Sequence, residues 1–121
     1  MPRVILALLM LLCAPLAGAH HSYAEYETDK PSAFSGTLTD VQWRNPHIQF
    51  VVSDGVNTLR VDWVTVTGAE RTGVSPEQFP LGARIAVTGS RHRDPSQAIM
   101  SVIQQIDLPD ANWQWKPPAR Q

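Results

Sequence analysis

The chain has 121 residues, with ten Lys and Arg against eleven Asp and Glu, and a formal net charge of −1 at pH 7. A chain of this length makes one domain with a single modest core. So balanced a charge gives no electrostatic reason to expect a nucleic-acid partner.

Residues 1–19 have the order of a cleaved secretory signal peptide. Arg3 precedes the uncharged apolar run VILALLMLL at residues 4–12, and the small-residue triplet AGA occupies residues 17–19. The apolar run is shorter than the roughly 20 residues that cross a bilayer. We therefore expect cleavage after Ala19 and a periplasmic or secreted protein without a membrane span. An uncleaved N-terminal anchor is the alternative.

Cleavage after Ala19 would remove Cys13, the only cysteine in the sequence. The mature chain would then hold neither a disulfide nor a thiolate metal ligand nor a cysteine nucleophile.

The following residues predict β-structure. SAFSGTLTDVQWRN (32–45) predicts one long strand whose apolar phase switches between Gly36 and Asp40, which is typical of a bulge or sharp bend. HIQFVVS (47–53) and TLRVDWVTV (58–66) alternate apolar and polar residues, and DGVN (54–57) between them is typical of a hairpin turn.

The second half of the chain continues the same pattern after an irregular segment. Residues 67–82 hold a short helix at most, with a start signal at Ser75 followed by Pro76. ARIAVTGS (83–90) and AIMSVIQQIDL (98–108) predict two more strands, joined by the polar loop RHRDPSQ. Residues 109–121 are rich in proline and turn formers, which predicts a weakly packed tail.

These elements predict an all-β domain of five strands with a short helical segment between the third and fourth. A small OB-like barrel fits best, with a long bent first strand that serves both sheets; a sandwich or open meander is the alternative. The predicted organisation is a signal peptide (1–19), a His-containing segment (20–31), the barrel (32–108) and a Trp/Pro-rich tail (109–121). The strand alternation predicts a core made of Phe34, Leu38, Val41, Ile48, Phe50, Val61, Trp63, Ile85, Val87, Val102 and Ile106.

Three stretches carry a family resemblance: AHHSYAEYETDKP (19–31), GTLTDVQWRNPH (36–47) and ARIAVTGSRHRD (83–94). In these the sequence resembles the DUF6152 family of small exported bacterial proteins of unknown function. The resemblance implies export and a shared fold, and it implies no established activity.

The histidines after the predicted cleavage site suggest a metal site. His20 would become the first residue, and its α-amine and imidazole both offer lone pairs near neutral pH. This arrangement resembles the histidine brace of some exported copper proteins and needs a further imidazole, from His21 or from His47. Nitrogen ligands favour Cu²⁺ and also suit Zn²⁺. In the alternative interpretation His20 and His21 are a solvated end, and His47 holds a turn.

The tryptophans and the basic stretch RHR could each serve either the fold or a binding surface. Trp43 and Trp63 are expected to pack in the core. Trp113 and Trp115 would either cover a barrel edge or form an exposed surface for a partner or a sugar. The RHR stretch (91–93) predicts a solvated loop, with an anion-binding patch as the alternative. Asn45 is expected to close a local Asx turn.

No nucleophile–base pair can be named, so an enzyme is not favoured. Three functions stay open at this point. The chain is a non-enzymatic exported binding module of unknown ligand, a copper or zinc binding protein that uses His20 with His47 or His21, or an accessory subunit. The accessory subunit would dock on a larger periplasmic enzyme through Trp113 and Trp115.

Overall fold

The computed structural model describes residues 23–120, which form a closed five-stranded β-barrel with a short sixth strand. The predicted signal peptide, His20 and His21 lie outside these residues. The elements are β1 (Ser32–Gln42), β2 (Gln49–Ser53), β3 (Thr58–Asp62), helix α1 (Val66–Arg71), β4 (Arg84–Arg91), β5 (Ile99–Leu108) and β6 (Trp113–Trp115).

The strand order confirms the predicted OB-like barrel. The sheet runs β3-β2-β1-β4-β5-β6, and β3 also pairs with β5 in parallel through Arg60–Ile99 and Val61–Met100. That parallel pairing closes the barrel, which excludes both the sandwich and the open meander. All other neighbouring strands are antiparallel.

The first strand is long and bent, as the phase switch predicts. Its first half pairs with β4 and its second half with β2. Leu38 pairs with Val52 and Asp40 with Val51, so Thr39 is an extra residue that forms a bulge. Gly36 lies at the crossover, where the β1 backbone approaches the end of β2 closely. The bulge and the glycine together let one strand serve both sides of the barrel.

The short helical segment predicted between β3 and β4 is present, and its α-helix begins before the predicted start at Ser75. Helix α1 begins directly after Thr65, whose hydroxyl accepts a hydrogen bond from the Gly68 N–H at 3.0 Å. The predicted start at Ser75 is a 3-10 turn, Pro76–Gln78, in which the Gln78 side chain accepts from the Ser75 N–H. No helix within residues 23–120 is long and apolar enough to cross a membrane.

The predicted core is largely confirmed, with three residues less buried than expected. Phe34 and Val41 are half-buried and pack against the core from its edge, and Val102 is half-buried at an irregularity in β5. The fully or almost fully buried apolar side chains are Leu38, Ile48, Phe50, Val52, Leu59, Val61, Trp63, Ala69, Val74, Phe79, Ile85, Val87, Met100, Ile103, Ile106, Leu108 and Trp115.

The prediction for Val102 is wrong because β5 carries a large bulge. Thr88 pairs with Gln105 and Ser90 with Ser101, so residues 102–104 lie opposite Gly89 alone. The bulge turns Val102 out of the core and puts Ile103 inside. Val102 takes a positive φ of 51°, a conformation that is unusual for a β-branched residue.

The segment predicted as a weakly packed tail contains strand β6, which pairs with the second half of β5. Trp115 is only 7% exposed, and its ring meets that of Trp63 edge-on at 5.0 Å. Trp113 packs edge-on against Phe79 at 5.5 Å. The two tryptophans therefore extend the core over a barrel edge, the first of the two roles expected for them.

Candidate functional site

A cleft of about 670 Å³ lies on the outer surface of the barrel beside β2, β3 and β5. We call it the His47 cleft. Gln49 of β2 with Arg60 and Asp62 of β3, which we call the cleft floor, line it from the outward face of these strands, in the opposite phase to their buried residues. His47 lines one side and the β5 bulge at Val102 lines another. Four separate stretches of the chain, within residues 23–26, 46–49, 60–68 and 101–103, therefore converge on one concavity.

The floor carries a planar ion pair. Arg60 donates from Nε to Asp62 Oδ1 and from Nη2 to Asp62 Oδ2, both at 3.0 Å. Gln49 is the cross-strand partner of Asp62, so its amide lies beside that pair. The alternation in TLRVDW predicts that Arg60 and Asp62 face outward, but no local pattern indicates that this face is concave.

The position of His47 is fixed by main-chain hydrogen bonds of the next residue, Ile48. The Ile48 N–H donates to Val64 O and the Trp63 N–H donates to Ile48 O, both at 2.9 Å, which continues the β2–β3 ladder by one more pair. His47 is half-buried and lines the cleft. The peptide bond between Asn45 and Pro46 is cis.

The sequence predicts that the Asn45 side chain bonds to the main chain of its own turn, but it bonds to a distant residue instead. Its Oδ1 accepts a hydrogen bond at 3.0 Å from the N–H of Val66, at the start of α1. The loop before β2 is thus linked to the helix after β3, and both line the same end of the cleft.

Residues 23–27, which we call the N-terminal strap, supply another side of the cleft. They begin with a 3-10 turn, Tyr23–Glu25, and Tyr23, Glu25 and Tyr26 all line the cleft. Burial raises the pKa of the Tyr26 phenol above its ordinary value, and the charges of Asp62 and Glu25 raise it further while Arg60 opposes them. Tyr26 is therefore a neutral phenol at physiological pH, able both to donate and to accept.

The strap is anchored by residues 91–93, at the end of β4. The Arg93 N–H donates to Glu25 O at 2.8 Å, and the Glu27 N–H donates to Arg91 O at 2.9 Å. The Arg93 Nε also donates to Ala24 O at 2.9 Å. Because two of these bonds join main chain to main chain, the strap extends the edge of β4 for a short distance.

His92 is part of the same anchor. Its ring meets the Tyr26 ring edge-on with the centroids 5.3 Å apart. Its Nδ1 accepts from the Asp94 N–H at 3.0 Å, and its Nε2 lies 3.8 Å from a Glu25 carboxylate oxygen. Residues 91–93 therefore hold the strap, and the prediction of a merely solvated loop is wrong.

One of the three candidate metal ligands lies among the described residues. His47 is in the cleft, whereas His20 and His21 lie outside the described residues. Within residues 23–120, no group of three or more His, Cys, Asp or Glu side chains is placed to hold a metal ion.

A second cleft of about 640 Å³ lies near Gly36 and Arg84. Its charged groups are already engaged: Arg84 binds Asp110 at 3.0 Å, and Asp54 accepts from two main-chain N–H groups of the hairpin turn. We take the His47 cleft as the candidate site because a histidine, a glutamine, two tyrosines and the Arg60–Asp62 pair all line it, whereas the charged residues lining the second cleft are Asp54 and Arg84.

The sequence matches a family model described as a family of unknown function (DUF6152), over residues 8–101. The chain belongs to this family. The match covers the strap, the cleft floor and the first residues of β5, so the cleft lies largely within the DUF6152 region. No curated protein matches the sequence.

Proposed function

We propose that this chain is a small exported β-barrel binding module, non-enzymatic, that holds its ligand in the His47 cleft. The observation that carries the proposal is the convergence of polar groups with different chemistry on one concave surface: His47, Gln49, Arg60, Asp62 and the strap tyrosines. Binding sites typically combine a preformed concavity of several hundred cubic ångströms with a few converging polar groups. The β2–β3 face is also where OB-like barrels commonly bind ligands.

Export is part of this proposal and rests on the order of residues 1–19. A periplasmic or secreted location follows if a signal peptidase removes them. The intact mass of the protein isolated from the periplasm should match a chain that begins at His20. A mass that retains residues 1–19 would contradict export by cleavage.

The binding proposal predicts where a ligand perturbs the protein. We expect the low-molecular-mass fraction of a periplasmic extract to shift backbone amide signals in a ¹⁵N–¹H NMR spectrum, with the largest shifts at His47, Gln49, Asp62 and Ser101. Asp62→Asn should reduce these shifts, because it weakens the ion pair on the floor while keeping the side-chain shape. The matched control is Arg84→Gln in the second cleft, which should leave them unchanged. Shifts confined to the second cleft, or none, would contradict the proposal.

Copper or zinc binding is the second candidate function, and one observation favours it. Tyr23 and His47 line the same cleft, and only Ser22 separates Tyr23 from His21 in sequence. Chain connectivity keeps the Cα atom of His21 within about 7 Å of that of Tyr23. His20 and His21 thus come directly before a segment that shares a cleft with His47, the partner that the proposed metal site needs.

Calorimetric titration with Cu²⁺ tests this second candidate. Protein that begins at His20 should bind Cu²⁺ at least about tenfold more tightly than the same protein with an acetylated α-amine, because acetylation turns that amine into an amide. His47→Ala should weaken binding as well. Affinity should fall as pH drops through about 6–7, since protons compete for the imidazole nitrogens.

Leu81→Ala is the control for that titration, because Leu81 is exposed and does not line the cleft. Equal Cu²⁺ affinity for the native and acetylated ends would overturn the metal proposal and leave the binding module intact. Docking through Trp113 and Trp115 is not proposed, because both side chains pack against the barrel.

A further inference from the structure

The floor of the His47 cleft displays both a pure donor and a pure acceptor. The Arg60 guanidinium only donates hydrogen bonds, and the ionised Asp62 carboxylate only accepts them. Gln49 beside them does both. A ligand that satisfies all three side chains must itself donate and accept at closely spaced positions.

The charges around the cleft argue against a charged ligand. Asp62 and Glu25 are negative, and the positive Arg60 already binds Asp62 through two hydrogen bonds. An anion would be repelled by the carboxylates of Asp62 and Glu25, and the only compensating charge among these three groups, Arg60, is already paired with Asp62. A simple cation could not accept a hydrogen bond from the Arg60 N–H groups that do not already bind Asp62. A neutral ligand rich in hydrogen-bonding groups fits this balance.

Aromatic rings stand at the open side of the cleft. Tyr23 is 64% exposed although it is a large aromatic residue, and Tyr26 is half-buried beside it. A tyrosine presents an apolar ring and a polar hydroxyl together, which suits a ligand that is apolar on its faces and polar at its edge. The C–H faces and hydroxyl edges of a pyranose ring have that character.

The β5 bulge gives an independent sign of function at the same place. Ser101, Val102 and Ile103 all line the cleft, and the φ of 51° at Val102 is a strained conformation for a β-branched residue. Bulges and strained residues concentrate beside functional sites, where they re-aim side chains.

We infer that the His47 cleft binds a neutral carbohydrate of one or two sugar rings, an inference that rests on the binding function proposed above. Hydroxyls on adjacent ring carbons donate to Asp62 and accept from Arg60 at once. An extended peptide also presents an N–H and a C=O of one residue on the same side, so triglycine is the comparison ligand in the test below. The cleft volume of about 670 Å³ is within the range of small-ligand sites.

The test is an NMR titration of the processed full-length protein with maltose and, separately, N,N′-diacetylchitobiose. Each sugar is added to about 20 mM, enough to occupy a site of millimolar affinity. At least one should shift the amide signals of Tyr23, Gln49, Asp62 and Ser101. Triglycine and inorganic phosphate, added in the same way, should shift them less.

Two variants make the test specific. Tyr23→Ala should weaken sugar binding several-fold, and Asp62→Asn should weaken it about tenfold, since it removes a hydrogen bond to a charged group. Leu81→Ala is the matched control for Tyr23→Ala, because the two side chains are 66% and 64% exposed. The melting temperature of each variant is measured alongside, and all three should stay folded.

The outcomes separate the ligand class from the binding function. If the periplasmic extract shifts the cleft amides and neither sugar does, the carbohydrate inference is overturned and the binding module stands. Stronger shifts with triglycine or phosphate would overturn it too. If neither the extract nor the sugars shift these signals, both proposals fall.

Discussion

Phe50→Ala should lower the free energy of unfolding by about 3–5 kcal/mol, the usual cost of removing a large aromatic side chain from a packed core. Phe50 is 0% exposed. Its ring stacks on Phe79 with the centroids 4.7 Å apart and lies 5.6 Å from the Trp63 ring. Since small domains are stable by only about 5–15 kcal/mol, this loss should be plain in a urea denaturation curve.

Val56→Ala is the control for that measurement. Val56 is 90% exposed in the β2–β3 turn, so its truncation should change stability by less than about 0.5 kcal/mol. A loss below about 1 kcal/mol for Phe50→Ala would place that residue outside a packed core and contradict the barrel interior described above.

Gly36→Ala should cost about 3 kcal/mol or more, at the upper end of what overpacking does, or prevent folding. A Cβ atom at this position would lie 2.3 Å from the Ser53 carbonyl oxygen and 2.6 Å from its carbon. Both are main-chain atoms that pair with β1, so neither can move without opening the β1–β2 ladder. Circular dichroism and a denaturant titration of the purified variant measure the effect.

Gly73→Ala separates this steric effect from the general cost of replacing a glycine. Gly73 has a positive φ of 75°, and a Cβ atom there would meet nothing within 4 Å. Its replacement should cost about 1–2 kcal/mol, from the left-handed conformation alone. If Gly36→Ala proves no more damaging than Gly73→Ala, the close approach of β1 to β2 is not what requires the glycine.

The barrel could be predicted because its main determinants are local. The alternation in β2 and β3, the Asp54-Gly55 turn and the phase switch after Gly36 each depend on neighbouring residues. A two-residue period with one glycine at the switch is enough to indicate a long strand that changes partners.

The cleft could not be predicted in the same way, since its parts meet only through long-range contacts. Arg93 holds Ala24 across 69 positions, and Asn45 holds the start of α1 across 21. Ile103 is buried in place of Val102 because the pairing of β5 with β4 shifts register at this point. The alternation of residues within β5 alone does not indicate that shift. The Trp-x-Trp segment is likewise flanked by prolines, which predicts an irregular tail. It forms a strand because it pairs with β5.

The anchoring of the strap by three consecutive residues has an evolutionary consequence. The cleft floor belongs to strands whose opposite faces build the core, so changes there are constrained by folding. The strap side depends on residues 91–93 and the loop that follows them, which pack few core side chains. Insertions or substitutions in that loop would reshape one side of the cleft while the barrel stays the same. Ligand preference could then diverge among proteins that share this scaffold, through drift in one short loop.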